Sequence, residues 1–296
     1  MKINIIANRN TWFVLSGVLV LSSILAVAFI GLRFGIDFTG GSLLEVEVQQ
    51  PVQAEEVRVS MADVGYTNLS IQASGEQGLI IRTEDLTEEE HQTLLTALEG
   101  QIGEVEELRF DSIGPVVGEE LRRTATTGIV VTLLLIGLYI AWAFRKVTEP
   151  VASWKYGFLT IFAAFHDVVI TVGAFSVLGY VYGWEIGTAF VAAILTILGY
   201  SINDTVVVFD RTRENLLKRV GDTFEETVEV SIEQTITRSI NTSLTTILAL
   251  LAIFLFGGDS TRPFACALMI GIGVGTYSSI FLASPLLVAW ELRKKK

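Results

Sequence analysis

Six apolar runs, each near twenty residues, dominate this chain and leave few folds open to it. They occupy about 12–31, 124–143, 156–180, 187–209, 239–257 and 264–290. A helix of roughly 20 apolar residues matches the ~30 Å hydrocarbon core of a bilayer. Only helices and closed barrels satisfy the backbone in that medium. The expected fold is an α-helical polytopic membrane protein with six transmembrane helices. The last run is longer than a bilayer needs, so tilt or extension into the interface is expected. Half of the 296 residues are hydrophobic and 18% are charged, as this reading requires.

Lys and Arg in the short loops set the orientation. Lys2, Arg9, Arg145, Lys146, Lys155, Arg211, Arg213, Lys218, Arg219, Arg238, Arg293, Lys294, Lys295 and Lys296 all fall on one side. The short loops of the other side, 181–186 and 258–263, hold only Arg262. Both termini are therefore expected to be cytoplasmic. Trp12, Trp142, Trp154, Trp184 and Trp290 fall at span ends, where an amphipathic ring favours the headgroup region. Ala26-Val27-Ala28 has the form of a signal-peptide cleavage site, but Phe29 and Ile30 continue the apolar run, which favours a retained helix. The single cysteine, Cys266, cannot form an internal disulfide.

Residues 32–123 form a polar insertion between the first two runs. This divides the chain into 1–31, an extracytoplasmic domain over 32–123, and 124–296. The insertion holds 19 Asp/Glu and 6 Arg, so all of the chain's net −11 charge resides there. Such acidity argues against binding nucleic acid or anionic lipid. Leu43–Val48 alternates as a strand. Ala54–Val64 reads as a helix with Val57, Met61 and Val64 on one face. Leu69–Ala73 and Leu79–Arg82 read as strands about a Ser-Gly-Glu-Gln-Gly turn. Thr87 with Glu90 makes a capping box for a helix to about Glu99, and Val105–Phe110 is a last strand. The order β-α-β-β-α-β predicts an α+β ferredoxin-like domain.

Ionisable residues inside apolar spans mark function by default, because a charge at the bilayer centre costs at least ~2.5–3.5 kcal/mol. Asp204 lies about five residues from the end of its run, roughly 8 Å deep at 1.5 Å per residue. His166 and Asp167 sit near the middle of the preceding run. Low dielectric disfavours the charged carboxylate, as a proton carrier needs. Arg238, just before the fifth run, is the expected partner cation, able to hold Asp204 and release it on protonation. Histidine as a residue type can change charge near neutral pH, so His166 is either a relay or a satisfied interior histidine. Asn203, Ser201 and Thr205 are expected to extend a polar path. Asp210, Arg211, Arg213 and Glu214 lie at the cytoplasmic boundary, as local ion pairs or as a proton exit. Asp222–Ile236 reads as an amphipathic helix along the membrane surface or under the bundle.

Two glycine-rich stretches join the domain to the membrane, one through Asp37, Gly40 and Gly41, the other through Gly114, Pro115 and Gly118. They are plain connectors or hinges that let the domain reorient. Gly271-x-Gly273-x-Gly275 and the small residues Ala189, Ala192, Ala193 and Gly199 mark helix contacts. Glu88-Glu89-Glu90-His91 is a weak metal-like cluster that reads as a solvated helix start. No nucleotide loop, metal-ligand spacing or nucleophile triad occurs, so no enzyme activity and no cofactor are expected. An intramembrane aspartyl protease would need Gly-x-Gly-Asp, whereas Asp204 follows Asn203 and Asp167 follows His166.

Four blocks together carry a family resemblance: Asp37-Phe38-Thr39-Gly40-Gly41; Gly114-Pro115-x-Val117-Gly118-x-Glu120-Leu121; His166-Asp167; and Gly199-Tyr200-Ser201-Ile202-Asn203-Asp204-Thr205-x-Val207-Val208-x-Asp210-Arg211-x-Arg213-Glu214-Asn215. They closely resemble the SecF family, membrane subunits of the bacterial Sec protein-export machinery. The resemblance implies half of an RND-type transporter in the bacterial inner membrane, with SecD as a separate partner chain. It implies that protons are the coupling ion. It further implies help to the late translocation of preproteins through the SecYEG channel after SecA has driven them across. It maps functional charges onto Asp204 and Arg238. Two alternatives share the buried carboxylates: an RND-type exporter of small molecules or lipids, and a non-coupling subunit that stabilises SecD.

Overall fold

The computed structural model describes residues 4–75, 77–145 and 151–294, of which Arg293 and Lys294 are described in the backbone alone. Lys2, Lys146, Lys295, Lys296 and Glu76, invoked above for topology and for one turn, lie outside the described residues. Among the described residues, six helices are long and apolar enough to cross a membrane. They are α1 (Arg9–Ile30), α5 (Pro115–Ala143), α6 (Ser153–Tyr182), α7 (Thr188–Leu217), α8 (Phe224–Phe256) and a sixth that runs through α9 (Arg262–Ser278), a π-helical turn (Ser279–Ala283) and α10 (Ser284–Lys294). A one-turn helix, α2 (Ile36–Thr39), follows α1.

Between α2 and α5 lie β1 (Gly41–Val48), α3 (Ala54–Asp63), β2 (Ser70–Ser74), β3 (Gly78–Thr83), α4 (Glu88–Ile102) and β4 (Val105–Ile113). The sheet order β2-β3-β1-β4, antiparallel throughout, is the ferredoxin-like arrangement the element order predicts. Leu44, Val46 and Val48 alternate inward from β1 against Val57 and Met61 of α3 and Leu94 and Leu98 of α4. Val64, expected on the core face, is exposed instead, because α3 ends one residue earlier. The register between β1 and β4 shifts at Glu45/Val46, a bulge in the longest strand pair. Both arms of the Thr87–Glu90 capping box are made.

The chain forms two compact units. One holds the membrane helices, and the other holds 33–126 together with the short loop 185–188. In the membrane unit, the expected separate helix over Asp222–Ile236 is the beginning of α8, continuous to Phe256. No Gly or Pro interrupts that stretch, so nothing in the chain stops the helix. The segment before α1 is docked as well: the Ile5 and Ile6 amides donate to Glu229 of α8 at 2.8 and 2.7 Å, and both side chains are buried.

Candidate functional site

Asp167 sits midway along α6 and is fully buried. Its Oδ1 lies 2.8 Å from His166 Nδ1. Its Oδ2 accepts from Ser201 of α7 at 2.5 Å and from Ser278 of α9 at 2.8 Å. Three helices therefore converge on one carboxylate. His166 is buried too, and its Nε2 has no partner. Adjacent residues on a helix diverge by about 100° at the backbone, yet the imidazole folds back onto its neighbour's carboxylate.

Asp204 lies one turn below Ser201 on the same face of α7. It is 4% exposed, and only its Oδ1 is satisfied, by Ser239 of α8 at 3.0 Å. Its Oδ2 is buried without a partner. Arg238, the expected partner, is exposed, and no ion pair joins it to Asp204 among the described residues. Asn203 is exposed and stands off the site, since it follows Ser201 by two positions and so faces away from it.

Further hydroxyls meet on the Ser201 side of α7, beside Asp167. Thr205 Oγ1 pairs with Ser279 Oγ at 2.8 Å, and Ser279 also reaches the Ser201 carbonyl at 3.3 Å. Ser279 opens the π-helical turn, whose carbonyl accepts from Ser284 at 3.0 Å. Such turns widen a helix locally and recur at functional positions. Close packing makes the convergence possible. A Cβ on Gly275 would lie 2.9 Å from that of Ser201, and one on Gly271 would lie 2.2 Å from Ile197. Gly273 faces open space, so two of the three glycines in that motif are helix-contact positions.

Sequence reasoning missed Ser239, Ser278 and Ser279. The signal for Ser239 is present: Thr227, Ser231, Thr235, Ser239 and Ser243 recur every fourth residue and are all buried, a hydroxyl stripe along α8. Lys155, counted above as a flanking cation, is buried against Glu291 at 2.7 Å. The boundary residues form local pairs, Arg213–Asp210 at 2.7 Å and Arg211–Glu214 at 2.8 Å.

The glycine-rich connectors are a packed joint. Gly40 has φ +75° and Gly41 φ +118°, both left-handed positions that favour glycine. A Cβ on Gly40 would strike Pro115, and one on Gly118 would lie 2.8 Å from the Gly40 nitrogen. Gly118 is inside α5, so it serves close approach and not a bend. Asp37 reaches across to Thr188, the first residue of α7. His91 is buried and stacked on Phe110 at 3.7 Å, so the Glu88–His91 run is solvated only at its carboxylates. Among the described residues no group of three His, Cys, Asp or Glu is placed to hold a metal.

Comparison with known proteins adds an independent line. Residues 93–293 match the model of the C-terminal region of SecD/SecF protein export membrane proteins, and 25–52 match the SecD/SecF GG motif. A protein translocase subunit SecF of Thermobaculum terrenum is 43% identical, covering 98% of this chain and 94% of that relative. The protein of the same name in Synechocystis is 38% identical over 98% of this chain. The crystal structure of SecDF, a translocon-associated membrane protein from Thermus thermophilus, overlays with a TM-score of 0.87 at 35% identity. This chain spans 39% of that longer chain. A second SecDF structure, in a super-membrane-facing form, gives 0.70 at 36% identity. Identity is nearly equal in the two, so the difference lies in shape.

Proposed function

We propose, starting from a chain that belongs to the SecD/SecF family of protein-export membrane proteins, that it acts as the SecF-type subunit of a protein translocase and couples proton flow to late translocation. SecD, as a separate chain, completes the transporter. The pair serves preproteins emerging from SecYEG after SecA has acted. The complex lies in a bacterial inner membrane with both termini cytoplasmic and the α+β unit outside.

The observation that carries the reading is the bare, buried Oδ2 of Asp204. A desolvated carboxylate with one free oxygen has a place for a proton and little to hold it charged. Protonation removes the charge and turns the carboxyl into a donor. The packing of α7 against α8 at Ser239 then shifts. A potential of 100 mV supplies ~2.3 kcal/mol per charge moved. That is enough per proton to bias the motion of an exported chain. The different overlays of the two SecDF structures are in keeping with a family that changes shape.

The test is preprotein export in membrane vesicles with and without a proton gradient, comparing wild type with Asp204→Asn at equal complex levels. The expected result is loss of the gradient-dependent increment with the complex intact. Unchanged gradient dependence refutes the assignment.

A further inference from the structure

Four consecutive residues, the end of the α6–α7 loop and the first residue of α7, belong to the α+β unit. Glu185 pairs with Arg82 of β3 at 2.8 Å. The Ile186 amide donates to the Arg33 carbonyl at 2.7 Å, and the Gly35 amide donates to the Ile186 carbonyl at 3.0 Å. This makes Phe34 and Ile186 a parallel bridge. Gly187 lies so close that a Cβ there would sit 2.5 Å from Asp37 Oδ2. The Thr188 amide and hydroxyl both donate to that same Oδ2, at 2.5 and 2.8 Å.

Thr188 is the first residue of α7, whose amide has no partner within the helix. A carboxylate there also meets the positive end of the helix dipole. Asp37 itself stands on α2, whose end at Gly40 is wedged against Pro115 at the start of α5. The Asp37 side chain thus ties the head of α7 to α2, and the backbone at the end of α2 packs on the entry of α5. From that head, α7 runs without a break to Asp204, sixteen residues and about 24 Å away.

We propose that Asp37 is a positioning residue for coupling: it fastens the head of α7 to the α+β unit, so that displacement of α7 at Asp204 moves that unit. This rests on the proton-coupling reading of Asp204. A helix is stiff along its axis and passes an axial shift to its end, while the loop beyond it would absorb that shift unless clamped. Glu185, Ile186 and Thr188 are bonded into the α+β unit, and Gly187 lies close against Asp37. Asp37 is the member of the clamp that binds the helix itself.

The experiment is a double-mutant cycle read by hydrogen exchange on the purified SecD–SecF complex in nanodiscs. Asp204→Asn stands in for the protonated state. The expected result is that Asp204→Asn alters exchange of the 33–41 and 114–118 amides when Asp37 is present. In Asp37→Ala this response is lost, although exchange around Asp204 in α7 and α8 still changes. Asp37→Asn, which keeps one acceptor for the Thr188 amide without the charge, should retain part of the response and covers the case in which Asp37→Ala fails to fold. In export vesicles, Asp37→Ala at wild-type complex levels should lower the gradient-driven increment several-fold and leave gradient-independent export unchanged. An undiminished response of 33–41 in both Asp37 variants overturns the proposal, whatever export does. A normal exchange cycle with no gradient dependence in the wild type leaves the clamp standing and overturns the proton-coupling role instead.

Discussion

Asp167 and Asp204 are both carboxylates buried among membrane helices, and their surroundings are opposite. Asp167 has both oxygens engaged, by His166, Ser201 and Ser278, from its own helix and two others. Asp204 has Ser239 on one oxygen and nothing on the other. A buried polar group that is fully bonded specifies packing, whereas one left bare costs about 1–3 kcal/mol and more when charged. A fold keeps that cost where an unmet group serves a purpose. The pair teaches that two equally buried carboxylates can differ in how far their bonds are made: Asp167 joins α6, α7 and α9, whereas Asp204 keeps one oxygen bare, which is what the proposed coupling role requires.

The largest expected effect breaks this contrast most directly. Asp204→Asn should abolish the gradient-driven part of export while leaving thermal unfolding of the complex nearly unchanged, because an amide oxygen can still accept from Ser239. If the melting point instead falls sharply, Asp204 is the structural member. Asp167→Asn should do the reverse. An amide cannot accept on both sides, so one of three bonds is lost, at about 1–3 kcal/mol. The melting temperature of the complex should drop and the folded fraction should keep its gradient response.

Ser239→Ala sharpens the comparison by making both oxygens of Asp204 bare. Stability should change by only about 0.5–1.5 kcal/mol. The pH at which gradient-dependent export is half-maximal should move, and an unmoved pH profile would detach Ser239 from the coupling step. The smallest effect concerns a partly buried carboxylate, Glu185, outside the membrane spans. Burial raises its carboxyl above the usual glutamate range, and the Arg82 guanidinium opposes that rise. A raised carboxyl binds its proton more tightly in the folded state. Its stabilising contribution is therefore full at low pH and fades as pH rises through the raised value. Glu185→Gln should flatten a shallow decline in melting temperature over that window, and an unaltered decline would assign it to other groups.

Much of the architecture was legible in local patterns. Alternation over Leu43–Val48 marks β1, although the structure alone shows Leu44, Val46 and Val48 facing inward, and Thr87 three residues before Glu90 marks the start of α4. The site was legible only in its carriers. Asp204, Asp167 and His166 stand out because charges in apolar runs are rare, but serines do not, and Ser239 and Ser278 were passed over. The position of Arg238 just before the fifth run suggests it as the cation for Asp204, but position along the chain says nothing of which way a side chain faces. It is exposed, while the neighbouring Ser239 faces inward. Loop 185–188 carries no signal of its attachment, because its bonds are to backbone and to residues some 100–150 positions away.

By itself the sequence determined the number of spanning helices, the ferredoxin-like order and the presence of ionisable groups in the membrane. These follow from hydropathy, periodicity and capping, which act over a few neighbouring residues. Only the tertiary structure decided which carboxylate is saturated and which is bare, and that Asp37 holds the head of α7. Those outcomes depend on side chains that different helices bring to one point, and no local pattern encodes that meeting.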